Sequence, residues 1–242
     1  FPINEPLPTQ HSLALHAGVC NAILHRFGHF EQGFTLSTSV DVPIGSGLGT
    51  SSTLVVAMLR AFFQWFNQSS TPQAIAQLAY EIERHDLGFA GGHQDQYAAA
   101  VGGINYMQFG PNDAAIITPL TLASDVVQEL QENIVLYYTG QARQSGKIIE
   151  AQQANVISNK TDSVAAMHQL KKQAVQMKET LMHGRLQQMG ELFDFGFEQK
   201  RKMADGISNP HIEEIYEAAK AAGATGGKIS GAGGGGFMFF YC

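Results

Sequence analysis

The sequence has little cysteine, few basic residues and no long apolar run, and each shortage excludes a class of protein. Its 242 residues include only two cysteines, Cys20 and Cys242, at opposite ends of the chain. They match no metal or redox spacing, so reduced thiols are expected. The 15 lysine and arginine residues are outnumbered by 21 acidic ones, giving a formal net charge of −6 and a pI near 5.8. This balance argues against a nucleic-acid or anionic-membrane surface.

Membrane-spanning and secreted proteins are disfavoured in the same way. No apolar run approaches the ~20 residues that span a bilayer, and the opening FPINEPLPTQ lacks the basic and apolar regions of a signal peptide. We therefore expect a soluble cytoplasmic protein that binds a small molecule and not a nucleic acid or a membrane, with a homodimer left open. Because the sequence opens on Phe1 and closes on the apolar run GGGGFMFFYC, we also expect a fragment of a longer chain.

The remaining composition, 44% hydrophobic and 15% charged, indicates one large or two small globular domains. Local signals predict a strand at Thr35–Val40, helices at 51–66 and from Pro72 to Gly88, a short helix in DQYAAAVGG, strands in INYMQF, AAIITPL and NIVLYYTG, helices over 145–201 with breaks near Asn159 and Gly184, a helix after Asn209-Pro210, and a terminal β-hairpin. Strands and helices alternate without the regular βαβ order, which favours an α+β fold with mostly antiparallel sheets. A boundary near 110–118 predicts domains at 1–115 and 116–242.

A glycine-rich loop precedes the first predicted helix. Its glycines permit backbone shapes that other residues forbid, and N–H groups at a helix start stabilise phosphate oxygens. Three hydroxyl groups follow, which can bind phosphate or a phosphate-bound Mg²⁺. The candidate residues are Pro43, Gly45, Gly47, Leu48, Gly49, Thr50, Ser51 and Ser52. The loop is not a Walker A loop, because no Gly-Lys-Ser/Thr follows, and a turn that admits close helix packing is an equally good interpretation of this stretch alone.

Two further elements carry candidate chemistry. GAGGGG at 231–236 matches G-x-G-x-x-G but leads into a strand instead of a helix, so the dinucleotide-binding context fails and a flexible turn is the simpler interpretation. Glu83 and Asp95 flank the 88–92 turn and can converge, one as a metal carboxylate and one as a group that orients or deprotonates a hydroxyl. Either residue alone is more often a solvated surface acid. Together with a phosphate loop, they fit phosphoryl transfer.

The motifs PIGSGLGTSST and KISGAGGGGF resemble the second and third motifs of the GHMP kinase family, which is named for galactokinase, homoserine kinase, mevalonate kinase and phosphomevalonate kinase. The resemblance runs from about Leu36 to Phe240. It implies a two-lobed fold with mostly antiparallel sheets and a helical layer, with ATP and Mg²⁺ as cofactors. It implies that Ser51 and Glu83 bind the metal, that Asp95 is the catalytic residue, and that Gly231, Gly233 and Gly234 support the nucleotide loop. The family's N-terminal motif is absent from the printed sequence, as are the helix and strand expected after the third motif.

Within the family, GGHQDQYAAAVGGINYMQF, YYTGQAR and the region from Ile207 are most similar to the kinases of D-glycero-D-manno-heptose 7-phosphate, with fucose kinases as near relatives. This similarity implies that the sugar lies near Asp95, Gly140 and Arg143. An arginine after a glycine turn is more often a surface ion pair, and Lys200 and Arg201 are expected to be solvated. His93 stands where many relatives carry lysine, and either a phosphate contact or simple packing explains it.

Four hypotheses follow. The leading one is an ATP- and Mg²⁺-dependent kinase that phosphorylates the anomeric hydroxyl of a heptose 7-phosphate. The second keeps the kinase and changes the acceptor to fucose, another hexose or a non-sugar alcohol. The third is a sugar or nucleotide sensor of the same fold that does not catalyse transfer, and the fourth is an α+β domain with coincidental glycine loops.

Overall fold

A computed structural model describes residues 4–142 and 145–242, and the chain divides into two compact units. The first unit comprises the chain up to Val42 and Gly49–Ile117, and the second comprises Pro43–Leu48 and Thr118–Cys242. The sequence did not indicate that Pro43–Leu48 belongs with the second unit.

The elements in chain order are α1 (Ala14–Phe27), α2 (Thr50–Trp65), α3 (Pro72–Tyr80), a π-helical turn (Glu81–Asp86), α4 (Gln94–Val101), β1 (Asn105–Phe109), β2 (Ala115–Pro119), α5 (Ser124–Asn133), β3 (Ile134–Tyr138), α6 (Ser145–Ile157), α7 (Thr161–Met182), a 3₁₀ turn (Leu186–Gln188), α8 (Met189–Arg201), α9 (Pro210–Ala221), β4 (Gly226–Ile229) and β5 (Phe237–Tyr241).

The core of the first unit is built where α1, α2 and α3 pack together. It includes the fully buried side chains of Ile23, Leu59 and Ile82. Phe30 extends this core into an aromatic cluster, with its ring 5.7 Å from that of Phe62. Trp65 stacks on the ring of Phe30 and remains 42% exposed.

The second unit contains a three-stranded antiparallel sheet in the order β3-β5-β4. Met238 of β5 lies opposite Ile229 of β4, and both side chains are fully buried in a core that Phe197 and Ile212 complete. Helix α8 packs directly on β4. The third motif forms the turn between β4 and β5, so this sheet and the helices packed on it position the motif.

The contact between α8 and β4 requires a residue without a side chain at Gly226. A Cβ added there would lie 1.8 Å from the carbonyl oxygen of Gly190. We expect Gly226→Ala to lower the free energy of unfolding by about 3 kcal/mol, because an overpacked contact between two backbones cannot relax by rotamer changes. Urea unfolding measures it. Gly146→Ala on α6, where a Cβ would meet only one atom at 4.0 Å, is the matched control, and equal stabilities for the two variants would contradict the prediction.

The α+β class with antiparallel strands is confirmed, as are the helices whose starts carry strong local signals. The Thr71 hydroxyl accepts a hydrogen bond from the N–H of Ala74, and the Asn209 side chain accepts one from the N–H of Ile212. The strand predicted at Thr35–Val40 is wrong: these residues form no strand in the described part of the chain. Helices α1 and α5 were not predicted. None of the helices in the described ranges is long and apolar enough to cross a membrane.

Candidate active site

The glycine-rich loop ends where α2 begins. Gly49 precedes the helix with a φ of +71°, a left-handed conformation that favours glycine. The residue before the helix, Gly49, has no side chain that could cap α2, and the first turn of α2 carries no acidic residue. Backbone donors and the positive end of the helix dipole therefore meet at this point, an arrangement that suits an anion. Ser51 is exposed there, whereas Ser52 is buried, so the Ser51 hydroxyl is the better placed of the two to reach a ligand.

Ser51 and Glu83, to which the family resemblance assigns the metal, lie in contact. The Ser51 hydroxyl donates a hydrogen bond to Oε1 of Glu83 at 2.9 Å. The carboxylate is buried, with the residue only 1% exposed, and Nη1 of Arg84 lies 4.0 Å from the same oxygen. The buried amide of Gln96 donates to the other oxygen, Oε2, at 2.5 Å. The carboxylate is thus held from both sides by hydrogen bonds.

Glu83 lies in the π-helical turn that continues α3. The turn spans Glu81–Asp86, and the N–H of Leu87 bonds to the carbonyl of Ile82, five residues earlier. Such turns are rare overall, but those that occur are often at functional sites. The wider turn rotates a side chain away from its α-helical direction. Here the turn carries the buried carboxylate that meets Ser51. The sequence predicts a helix up to Gly88 but gives no sign of this change of geometry.

Asp95, the predicted catalytic residue, is exposed in the first turn of α4. It lies against the last glycine of the loop, since a Cβ added to Gly49 would come within 3.2 Å of its Cγ atom. A glycine at position 49 therefore allows the loop backbone to approach the carboxyl group closely. The first unit thus brings Ser51, Glu83 and Asp95 together around the start of α2.

His93, which the sequence left unassigned, lies in an aromatic stack. Its ring is 3.7 Å from the ring of Tyr80 and 5.2 Å from that of Phe109, nearly parallel to both. Its Nε2 atom is 3.2 Å from Oδ1 of Asp113, the oxygen that also accepts a hydrogen bond from the Tyr80 hydroxyl. Burial and the neighbouring Asp113 carboxylate raise the pKa of Tyr80. Of the two interpretations of His93, the structure favours packing.

In the second unit, the first half of the glycine-rich loop is bound to the third motif. The Ser230 hydroxyl donates to the carbonyl of Gly47 at 2.7 Å, and the N–H of Phe237 donates to the carbonyl of Ser46 at 3.0 Å. A Cβ on Gly236 would lie 2.2 Å from that same Ser46 carbonyl. The glycines of the third motif therefore let two loops pack backbone to backbone, which the sequence alone presented as a flexible turn.

The predicted nucleotide-supporting glycines occupy this turn in left-handed conformations. The φ angles are +55° at Gly231, +101° at Gly233 and +80° at Gly234. The N–H of Gly234 donates to the carbonyl of Ile207 at 2.6 Å, which fixes the turn to the segment before α9. Lys200 also reaches it and donates to the carbonyl of Gly231.

Lys200 and Arg201 differ from the expectation that both are simply solvated. Lys200 holds the third motif as described, and Arg201 pairs with Glu213 at 2.7 Å while its guanidinium lies 3.8 Å from the centre of the Phe197 ring. The apolar stems and flat heads of such side chains pack well on rings. The expectation is wrong because both residues emerge from the end of α8 directly against neighbouring elements.

The turn expected to contact sugar is tied to the same region. Thr139 donates to the carbonyl of Gly236 through both its N–H and its hydroxyl, each at 2.9 Å, and Nε2 of His211 lies 2.9 Å from the Thr139 carbonyl. Gly140 follows with a φ of +73°. Arg143 lies outside the described residues. The sequence alone did not assign a role to His211 or Gln96. The only sign of their contacts in the sequence is that each lies beside a predicted motif.

The Ser51 and Glu83 pair suits a magnesium ion. Mg²⁺ prefers hard oxygen ligands and is usually held by one or two carboxylates with waters and substrate phosphates. The pair supplies one carboxylate and one hydroxyl within 2.9 Å of each other, beside a helix start that suits phosphate. The donor set therefore fits this ion.

Two protein-family models match the chain and together cover most of its residues. Residues 14–103 match the GHMP kinases N terminal domain, and residues 177–242 match the GHMP kinases C terminal family. The chain belongs to the GHMP kinase family, whose members are phosphotransferases that use ATP and an alcohol acceptor.

Among its relatives, the chain is 41% identical over 241 residues to the D-glycero-alpha-D-manno-heptose 7-phosphate kinase of Campylobacter jejuni, covering all of this chain and 70% of that protein. A crystal structure of a D-glycero-D-manno-heptose 1-phosphate kinase from Bacteroides thetaiotaomicron aligns with a TM-score of 0.74 at 36% identity, covering 97% of this chain and 66% of that one. The bifunctional fucokinase/GDP-fucose pyrophosphorylase of Arabidopsis thaliana is 26% identical, covering 98% of this chain and 22% of that protein.

Proposed function

We propose that the protein is an ATP- and Mg²⁺-dependent sugar kinase that phosphorylates the anomeric hydroxyl of D-glycero-D-manno-heptose 7-phosphate. The contact of Ser51 with Glu83 beside Asp95, at the start of α2, is the observation that carries the proposal. The identity of 41% to the heptose 7-phosphate kinase supports the choice of acceptor. In this proposal residues 1–115 form the N-terminal kinase domain and residues 116–242 the C-terminal domain.

Each residue has a defined role in the proposed reaction. The loop from Pro43 to Ser52 binds the phosphates of ATP through its backbone N–H groups. Ser51 and Glu83 would hold Mg²⁺, which would supply positive charge to neutralise the phosphates. Asp95 orients the acceptor hydroxyl and takes its proton. The acceptor oxygen then forms a bond to the γ-phosphorus as the bond to the bridging β–γ oxygen breaks, so the products are a sugar phosphate and ADP.

The remaining predicted residues are assigned to binding. Gly231, Gly233 and Gly234 support the nucleotide loop, consistent with the hydrogen bonds that join Ser46 and Gly47 to the third motif. Gly140 and Arg143 contact the sugar. Of these two, Arg143 would bind the phosphate that the heptose already carries, because a guanidinium offers paired donors for phosphate oxygens.

Two other acceptors compete with the proposed one. The structural relative from Bacteroides thetaiotaomicron is named for a heptose 1-phosphate; the anomeric hydroxyl of that acceptor already carries a phosphate, so the new phosphate would go to a different hydroxyl. The plant relative is a fucokinase, which favours fucose as a second candidate acceptor.

Phosphorus NMR of the protein with MgATP and single acceptors tests the proposal. We expect a new anomeric phosphate signal and ADP with heptose 7-phosphate, and no new ester with heptose 1-phosphate, fucose, galactose or mevalonate. A new ester on another acceptor would change the substrate and keep the kinase. Protection of the protein by ATP against unfolding, without transfer to any acceptor, would contradict the kinase and favour a sensor.

A further inference from the structure

Gln96 carries a buried amide oxygen that has no hydrogen-bond partner in the part of the chain that the structure describes. The residue is 0% exposed in α4, directly after Asp95, and its Nε2 donates to Glu83. Its Oε1 atom is buried and accepts no hydrogen bond from any residue that the structure describes. Leaving a buried acceptor unsatisfied costs roughly 1–3 kcal/mol, and native proteins rarely do so without a reason.

A reversed amide does not remove this problem. Oxygen and nitrogen of a glutamine amide are assigned from the surrounding hydrogen bonds. In the reversed orientation Oε1 would face Oε2 of Glu83, and a carboxylate oxygen only accepts. The nitrogen must therefore face Glu83, and the oxygen requires a donor from outside the described side chains. Because both atoms belong to one amide group, that donor lies close to the Glu83 carboxylate.

Water is the donor best suited to this position, and water held by a magnesium ion is a strong one because the ion polarises its O–H bonds. We propose that Gln96 is a positioning residue for the metal site. Its Nε2 fixes one oxygen of Glu83, which leaves the oxygen beside Ser51 to face the ion, and its Oε1 accepts a hydrogen bond from a water molecule on the ion. The inference rests on the proposed function, since it concerns the metal of that same site.

Gln96→Met tests the assignment, because methionine keeps the length of the side chain without its polar atoms. We measure binding of Mn²⁺ by EPR in the presence of a non-hydrolysable ATP analogue, using the full chain. Partners of metal ligands contribute roughly 10- to 100-fold to metal affinity, so the dissociation constant for Mn²⁺ is expected to rise by about that factor. Binding of the analogue in EDTA is expected to stay unchanged, which a general loss of structure would not allow.

Gln173→Met is the matched control. Gln173 is also a buried glutamine, 5% exposed, and its amide donates to the backbone carbonyl of Leu192 in the second unit. The Gln173→Met variant is expected to be less stable than the wild type and to bind Mn²⁺ with unchanged affinity. Equal Mn²⁺ affinity of wild type and Gln96→Met would overturn the inference and leave the kinase intact. Failure of the wild type itself to bind Mn²⁺ with the analogue would overturn the metal role in the proposed function and this inference with it.

A measurement on the wild type covers the case in which Gln96→Met does not fold. The side-chain amide signal of Gln96 in a ¹⁵N NMR spectrum is expected to shift when Mg²⁺ is added to the protein with the analogue. The same signal is expected to stay in place when the analogue is added in EDTA. An unchanged signal in the presence of Mg²⁺, with the analogue bound, would refute the role of Gln96.

Discussion

Asp95→Asn is expected to lower kcat by about 10²- to 10⁴-fold, the range that a positioned acid or base contributes. Asparagine preserves the size of the side chain and can still accept a hydrogen bond, but it cannot take the proton of the acceptor hydroxyl. Asp95 is exposed in the first turn of α4. The substitution also removes the favourable interaction of the carboxylate with the helix dipole, worth about 0.3–1 kcal/mol. Initial rates with MgATP and heptose 7-phosphate give the effect on kcat.

The control for Asp95→Asn is Asp162→Asn, which removes an exposed acidic residue from the first turn of α7. We expect this variant to turn over at the wild-type rate and to lose a similar small amount of stability. Nucleotide affinity should be unchanged in both variants, because Asp95 is assigned to the acceptor. A kcat for Asp95→Asn within tenfold of wild type would remove Asp95 from the proton-transfer step.

Local chemistry made part of the fold predictable. Thr71-Pro72 and Asn209-Pro210 combine a capping side chain with proline at the first helical position, so those helices could be placed without tertiary information. Thr35–Val40 has strand-like residues, but a strand exists only with a neighbour to bond with, and the described residues supply none. Helix α1 was missed because Leu13 gives it no capping side chain.

Part of the candidate site could likewise be predicted from the sequence, and part could not. The residue types in the glycine-rich loop and the order of Ser51, Glu83 and Asp95 indicated phosphoryl transfer. The contact between Ser51 and Glu83 depends on a π-helical turn, which arises where tertiary packing overrides the α-helical preference of the segment. The unsatisfied oxygen of Gln96 is likewise a property of the packed interior. Neither feature leaves a pattern that a single sequence can reveal.

Glu83→Gln is expected to weaken metal-dependent turnover by at least about 100-fold at low Mg²⁺ concentration. Residues that only hydrogen-bond to a metal ligand contribute roughly 10- to 100-fold to metal affinity. A residue that itself binds the metal should contribute more, which sets the lower limit of this expected loss. The fold tolerates the change: the new oxygen can accept from Gln96, and the new amide group can donate to the Ser51 hydroxyl, which is free to rotate. Since a buried charge is removed, the unfolding midpoint should stay equal or rise.

Activity measured against free Mg²⁺ concentration distinguishes a metal ligand from a structural residue. The lost turnover of Glu83→Gln should be partly recovered at high Mg²⁺, which a misfolded variant would not show. Glu81 is an exposed residue of the same π-helical turn, and its carboxylate accepts a hydrogen bond from the Gln77 side chain. Glu81→Gln should keep the wild-type dependence on Mg²⁺. Because Ser51 and Glu83 act on one ion, adding Ser51→Ala to Glu83→Gln should cost less than the sum of the single effects. Strictly additive losses would mean that the two residues serve separate functions.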